Sequence, residues 1–340
     1  MARLRQEFPH SLSPPAQAFA FTIAPFIPLT FLVIMRVIRG YQHPLPQPTV
    51  LTLGNFDGVH LGHRALLRAL KESGAALQLP TAVLTFEPHP REFFDPGDAP
   101  ARLSVLREKL AMFAAMGIDH VCVCPFNQAL SQLSAEAFID EVLLGCLRVK
   151  HLIVGDDFRF GARRQGDFHH LQVAGQQHGF SVTALDSVDM DGLRVSSSAV
   201  RTALAAGEMQ QAARLLGRPY LMHGRVVHGD KVGRKMGFAT ANIRVKHLPL
   251  PLAGVFAVRV TGLGTTALPA VANLGTRPTA GGMRTLLEVH LFDFDADIYG
   301  QHLCVEFCKK LRAEKRFADF AQLQAQIARD AAEARSFFGI

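Results

Sequence analysis

The chain lacks both common phosphate-loop fingerprints: there is no GxxxxGK[ST] run, and no GxGxxG follows its first apolar strand. A nucleotide site in this protein has to be built another way. Cysteine is scarce as well. Of the five, Cys122 and Cys124 alternate within an apolar run, Cys146 ends a predicted helix, and Cys304 and Cys308 flank a predicted strand. Neither a metal cage nor a disulfide framework follows from those spacings, which leaves buried free thiols in a reducing compartment. Charged residues make up only 19% against 49% apolar, which excludes extensive disorder, and no internal repeat or low-complexity tract occurs.

Charge is absent altogether from Ser11 to Met35, and Phe19 to Ile34 is strongly apolar. Pro14, Pro15, Pro25 and Pro28 interrupt any helix there, and no small-residue cleavage site follows, so neither a membrane anchor nor an export signal is expected. The alternating pattern of elements begins near Met35. We read Met35 as the functional start and residues 1–34 as a non-native or disordered extension, and we expect a cytoplasmic protein. Its net charge is +7, with basic residues in short groups near glycine loops and chain ends. That distribution favours small anionic nucleotides over nucleic acid.

At 340 residues there is room for two domains. Apolar runs at Val50–Leu53, Ala82–Phe86, Val121–Cys124, Leu152–Val154 and Val182–Leu185 read as strands buried on both faces, separated by helical patterns near 62–75, 104–116, 134–147 (with Ser134 as cap) and 167–178. That rhythm predicts an α/β domain with a doubly wound parallel sheet over residues 35–217. Past Arg218-Pro219-Tyr220, strands follow one another without helices: Tyr220–Val227, Val255–Val260, Ala270–Leu274, Leu286–Phe292 and Leu303–Phe307. Residues 218–340 therefore read as a small antiparallel barrel. A terminal helix closes it, with Phe320, Leu323, Ile327, Ala331, Ala334 and Phe338 on one face.

The most informative segment is Gly54-Asn55-Phe56-Asp57-Gly58-Val59-His60-Leu61-Gly62-His63, set between a buried strand and a helix. Glycines let the backbone turn close to a ligand, and His60 and His63 fall on one face of the first helical turn, where imidazoles and free N–H groups can take a nucleotide's phosphates. An ordinary strand-to-helix loop with two surface histidines fits a bare HxxH equally. This one resembles the GxFDxxHxGH signature of the nucleotidylyltransferase superfamily, which implies a Rossmann-like fold. Three further segments fall at the same sheet edge: TFEPHP (85–90), GDDFRFG (155–161) and VSSSAVR (195–201). Serines 196–198 read as a helix cap or as a second anion clamp.

Together, GNFDGVHLGH, TFEPHP, GDDFRFG and SSSAVR resemble, in order, the bacterial bifunctional riboflavin kinase/FAD synthetases, over residues 35–340. The family often has threonine where this chain has Ser198. The resemblance implies that the first domain joins FMN to the AMP part of ATP. His60 and His63 would hold the triphosphate, Ser197 and Arg201 would stabilise the leaving phosphates, and Gly54, Asn55, Phe56, Asp57 and Asp157 would line the nucleotide and flavin pocket.

In the second domain, Gly224 to Asn242 places glycines and cations around a turn, including Gly229, Lys231, Gly233 and Lys235. Phosphate binding and a solvated hairpin both fit that pattern. The segment resembles the kinase signature ending GFPTAN, in which threonine and asparagine hold Mg²⁺ and the ATP phosphates; here these are Thr240 and Asn242, with Ala239 in place of proline. Alternation along Leu287–Phe292 puts Glu288, His290 and Phe292 on one face. The resemblance makes Glu288 the base for the riboflavin 5′-hydroxyl; a solvated strand face is the bland alternative. Lys309, Lys310, Arg312, Lys315 and Arg316 read as a solvated face at the start of the last helix. The expectation is an enzyme using ATP and Mg²⁺ on riboflavin, FMN and FAD, with small-molecule partners, no nucleic acid and no membrane. An adenylyltransferase with a weakened kinase, and a flavin-binding regulatory protein, are the alternatives.

Overall fold

Burial on both faces selects the strands of the first layer: Thr49–Leu53 is wholly buried and Thr81–Glu87 and His120–Pro125 nearly so. In the computed structural model, which describes residues 35–228, 240–279 and 282–340, they belong to a six-stranded parallel sheet. Its strands are β1 (Arg36–Arg39), β2 (Thr49–Leu53), β3 (Thr81–Glu87), β4 (His120–Pro125), β5 (Val149–Gly155) and β6 (Ser181–Leu185), in the order β1-β4-β3-β2-β5-β6. Five of the six match the expected runs. The unexpected one, β1, is a short, mostly exposed edge strand whose two aliphatic residues, framed by Arg36 and Arg39, carry too little hydrophobic signal. At the other edge β6 is half-exposed, contrary to the expectation of two buried faces. Strand order reverses beside β2: β3 and β4 build to one side, β5 and β6 to the other. Their carboxyl ends diverge there, at the point where open α/β sheets take ligands.

Helices cover both faces: α1 (Leu61–Leu77), α2 (Pro90–Phe94), α3 (Leu106–Ala115), α4 (Gln128–Gln132), α5 (Ala135–Ala137) running on as a π-helix over Phe138–Cys146, and α6 (Phe168–His178). Ser134 caps α5 as expected, its Oγ accepting from the Ala137 N–H at 3.1 Å. A two-residue hairpin, β7 (Asp189–Met190) and β8 (Leu193–Arg194), then leads into α7 (Ser197–Ala206) and α8 (Met209–Leu216).

Strands β9 (Leu221–Val227), β10 (Ala241–Arg244), β11 (Gly254–Thr261), β12 (Leu268–Thr279), β13 (Gly282–Leu291) and β14 (His302–Arg312) form a closed antiparallel barrel, β10-β13-β12-β11-β14-β9. Cys304 and Cys308 lie within β14 rather than flanking a strand. Lys309, Lys310 and Arg312 also belong to β14, and only Lys315 and Arg316 precede the terminal helix α9 (Phe320–Phe338); alternation through His302–Arg312 carries the strand past the point where the charges begin. Asp319 caps α9, and its buried face sets Ala331 and Ala334 against Val255, Ala257, Val271 and Phe292 on the barrel's outside.

One hydrophobic cluster runs from Val200, Leu204, Ala212 and Leu216 of α7 and α8 into the barrel interior, including Met222, Ile243, Phe256, Leu287, Val289 and Phe307. Each large side chain buried there contributes about 1.5–3 kcal/mol. The helix pair thus shares its core with the barrel, in a cluster that includes none of the six parallel strands. Expectations placed on residues 1–34, and on Gly229, Lys231, Gly233, Lys235 and Ala239, lie outside the described residues.

Candidate active sites

Past β2 the chain turns through Phe56, Gly58 and Val59, whose φ angles are 50°, 80° and 40°. This left-handed run costs most at β-branched Val59. Glycine is required at 58, because a Cβ there would lie 2.9 Å from Leu103 Cδ1. The turn delivers His60 as the N-cap of α1, with its Nδ1 accepting the His63 N–H at 3.3 Å. The two rings stack with centroids 3.7 Å apart. Gly62 permits that approach, since a Cβ would lie 3.2 Å from the His60 ring. Phe56 is fully buried beneath His63, its ring centroid 5.0 Å away.

Burial, above all, pushes both imidazoles down. His60 falls to about 4, with Asp57 opposing the change and Arg201 and Arg218 adding to it; His63 falls well below its usual value, with His60 and Lys109 adding to the effect of burial. Both rings are therefore neutral at neutral pH. In the ligand-free chain they offer polar ring nitrogens, and the fixed positive charge comes from Lys109, Arg201 and Arg218. His63 Nδ1 is buried and has no hydrogen-bond partner among the described residues.

A cavity of about 430 Å³ opens beside the pair, lined by His60, His63, Gly155, Asp157, Arg194 and Ser198, among others. At its mouth Arg194 bridges Asp156 at 3.3 Å and Asp157 at 2.8 Å. Ser196 resolves one ambiguity by capping α7, its Oγ accepting from the Ala199 N–H at 3.1 Å. Ser197 and Arg201 lie elsewhere. Ser197 Oγ donates to the Asp57 carbonyl at 2.9 Å, and Arg201 Nη2 reaches the Asp57 carboxylate at 2.5 Å. That carboxylate is buried and also accepts the N–H groups of Leu103 and Ser104 at 3.0–3.2 Å. Asp57 thus ties the turn, the 101–104 loop and α7 together. Asn55 adds to the wall behind the rings: its carbonyl accepts from Thr85 Oγ and Lys109 Nζ, both at 3.3 Å, while its Oδ1 is buried without a partner among the described residues.

On the barrel, Leu287, Val289 and Leu291 of β13 point into the core, and Glu288 and His290 occupy the opposite face. Strand register sets Asn242 of β10 opposite Glu288, and Glu288 opposite Asn273 of β12. Directly paired residues share a face, so the register makes one lateral row of two amides and a carboxylate outside the barrel. Thr240 stands two residues before Asn242, at the entry to β10.

A sequence model of the FAD synthetase family matches residues 42–199, and one of the riboflavin kinase family matches residues 216–338. The bifunctional riboflavin kinase/FMN adenylyltransferase of Escherichia coli K12 is 51% identical over 309 residues, covering 90% of this chain and 99% of that protein. Those of Haemophilus influenzae and Pseudomonas fluorescens are 47% and 48% identical, covering 89% of this chain and 99% and 97% of the relatives. The chain belongs to the bifunctional riboflavin kinase/FMN adenylyltransferase family. It is a two-activity enzyme, with its FAD synthetase part preceding its riboflavin kinase part. A solved structure from Streptococcus pneumoniae, described as a macrolide-efflux protein, superposes with a TM-score of 0.74 at 26% identity, covering 87% of this chain and 97% of that one. Among the described residues no helix is long and apolar enough to cross a membrane.

Around the imidazole pair, sequence reading gave no site role to Lys109 or Arg194, and read Arg218 only as part of the joint between the domains. Lys109 sits at a buried position of α3, where periodicity predicts an apolar side chain, and burial lowers its pKa. Arg102 joins the TFEPHP segment by pairing with Glu87 at 2.8 Å and Glu92 at 2.5 Å. Phe86, Phe93, Phe94 and Phe126 pack edge to face at centroid distances of 5.4–5.7 Å, and Phe94 remains 66% exposed. No motif flagged that cluster, because its members come from three segments brought together only by the parallel order of β3 and β4. In the kinase part, Asn273 was legible only once the register of β12 was known.

Proposed function

We propose that the cavity beside β2 and β5 takes ATP in the adenylyltransferase domain, residues 35–217, with the triphosphate against His60 and His63. The observation that carries this reading is the stacked imidazole pair lining the 430 Å³ cavity, with His63 Nδ1 buried and without a partner among the described residues. An arriving polyanion raises the basicity of both rings and draws them toward the charged form. Gly54, Asn55, Phe56 and Asp57 shape the turn, Ser197 and Arg201 brace it through Asp57, and Asp157 borders the nucleotide. The phenylalanine cluster, with Phe94 exposed, offers the flavin ring an aromatic surface. An FMN phosphate oxygen attacks the α-phosphorus of ATP and pyrophosphate leaves. The protein supplies alignment and electrostatic stabilisation.

In the kinase domain, residues 218–340, Glu288 accepts the proton of the riboflavin 5′-hydroxyl as that oxygen attacks the γ-phosphorus. Gly229, Lys231, Gly233 and Lys235, by their glycine and lysine spacing in the sequence, hold the phosphates in this reading. Thr240 and Asn242 offer oxygen donors that suit Mg²⁺, with the buried Asn242 in register with the Glu288 carboxylate. Among the described residues no cluster of three His, Cys, Asp or Glu could hold a metal, which fits a cation held largely through substrate phosphates. Bound there, Mg²⁺ would neutralise charge on those phosphates. The same reading makes the partners small molecules, with no role for nucleic acid or membrane, and places the enzyme in the cytoplasm.

The test is His63→Ala, incubated with FMN, ATP and Mg²⁺ and followed by flavin separation. FAD formation is expected to fall about 100-fold, the scale of removing one preorganised polar contact to a reacting phosphate, while the same protein converts riboflavin to FMN normally. Normal FAD formation, or equal loss of both products, would remove His63 from the site.

A further inference from the structure

Arg218 begins the connection from α8 to the barrel, far in sequence from the signature turn. Its guanidinium donates to three backbone carbonyls: Nη2 to Gly58 at 2.6 Å, and Nη1 to Val59 at 3.1 Å and to Leu216 at 3.3 Å. Two of those carbonyls belong to buried residues in the left-handed region, immediately before His60. No carboxylate forms a salt bridge with Arg218 among the described residues. Burial disfavours the charge most and its cationic neighbour Arg64 adds to that, while Glu108 and Tyr220 oppose the change; the pKa falls to about 10, so the cation persists at neutral pH. A half-buried cation held directly by neutral carbonyls, with its favourable carboxylate Glu108 acting only from beyond ion-pair distance, is costly for the fold alone. The cost makes sense where the carbonyls need fixing and where an anion is due to arrive nearby.

We infer that Arg218 is a positioning residue for adenylyl transfer: by clamping the Gly58 and Val59 carbonyls it fixes the turn that aims the His60–His63 pair into the cavity. The inference rests on reading that pair as the triphosphate site. A residue of the joint to the kinase barrel thereby sets the geometry of the other active site. Tyr220, two residues on, makes a parallel link, its hydroxyl donating to the Leu103 carbonyl at 3.2 Å on the loop that Asp57 holds. The guanidinium is needed as a fork. A lysine ammonium at the same place is a single point and cannot hold both carbonyls with the same geometry.

The experiment compares Arg218→Ala, Arg218→Lys and His63→Ala in the full chain, measuring FAD formation from FMN and riboflavin phosphorylation in each preparation. Loss of alignment predicts that kcat for FAD formation falls about 30-fold in Arg218→Ala and about 10-fold in Arg218→Lys, with KM for ATP changing less than about threefold. Riboflavin phosphorylation stays within about twofold of wild type, which reports an intact fold, and added guanidinium ion restores FAD formation in Arg218→Ala but not in His63→Ala. A wild-type kcat in Arg218→Ala, parallel loss of both activities, or failure of guanidinium to restore the variant overturns the inference. If His63→Ala itself makes FAD normally, the site reading fails first; if only His63→Ala is impaired, Arg218 alone loses its role.

Discussion

The two halves of this enzyme gather their chemistry in opposite ways. In the parallel sheet, the residues around the His60–His63 pair come from the turn after β2, the loop before α3, the start of α7 and the joint after α8, and they share partners: Asp57 alone binds two backbone N–H groups and Arg201. On the barrel, the period of two does the sorting. Leu287 and Val289 go to the core, Glu288 to the outer face, and the neighbouring strands add Asn242 and Asn273 in register. Function and stability are therefore entangled in the first site, while in the second the strand period separates the core residues from the face that carries Glu288. Isosteric removal of a charge on the outer face leaves the apolar packing inside the barrel in place, whereas removal of a charge from a buried hub strands its partners.

The sharpest test of that contrast is on the barrel. Glu288→Gln keeps the shape and removes the base, so riboflavin phosphorylation is expected to fall about 10³-fold, the upper part of the range for general base catalysis. FAD synthesis from added FMN and the unfolding temperature should both stay at wild-type values. Loss of stability alongside activity would break the comparison, because Glu288 would then be part of the scaffold. The matching change in the sheet is Asp57→Asn, also nearly isosteric. It leaves Arg201 without its buried counter-charge, and a destabilisation of about 3 kcal/mol is expected together with a loss of about tenfold in FAD formation. Thermal unfolding and flavin separation on the same preparation read both effects. An Asp57→Asn protein of wild-type stability would place the carboxylate outside the clamp.

How much of this was legible in the sequence follows the same division. Buried parallel strands announce themselves as apolar runs, so five of the six in the sheet were readable; β1 was not, because Arg36 and Arg39 frame only two aliphatic residues on an edge strand. On the barrel, alternation along Leu287–Phe292 assigned Glu288 to the face opposite the core without any structure. The HxGH turn was equally visible, since its glycines and histidines are adjacent in the chain. Arg201 was read as facing the phosphates but is bound to Asp57, and nothing local distinguishes those two fates. Lys109 and Arg218 were silent for a related reason. Each acts across more than fifty residues on a backbone carbonyl, and a carbonyl partner leaves no side-chain signature to pair them with.

The joint between the two regions supplies the smallest expected effect and the most specific pH dependence. Glu108, in the first turn of α3, accepts from His223 Nδ1 of β9 at 3.1 Å and from His247 Nε2 beyond β10 at 2.9 Å. Burial raises the Glu108 pKa, but the two imidazoles outweigh it and hold the acid at about 2, against an ordinary 4.5. Hydrogen bonds to Cys304 and Glu108 raise His223 from 6.5 to about 10 against the effect of burial. A depressed acid stabilises the fold above its ordinary pKa and loses that contribution as pH falls toward about 2. A raised imidazole stabilises below 6.5 and loses its contribution as pH climbs through about 10. Both contributions are complete only between about pH 4.5 and 6.5. His60 and His63, depressed by burial, weaken the fold as pH drops below 6.5, but they do so in wild type and variant alike and cancel in the difference. Because the His223 side chain is 47% exposed, solvent screening keeps the effect small. Glu108→Gln should lower the unfolding temperature by about 2–3 °C at pH 6, and the gap should narrow by pH 9.5. A gap that stays the same from pH 6 to pH 9.5 would mean that the joint is held by packing alone, leaving the shared core of α7, α8 and the barrel to couple the sheet's site to the kinase without help from charge.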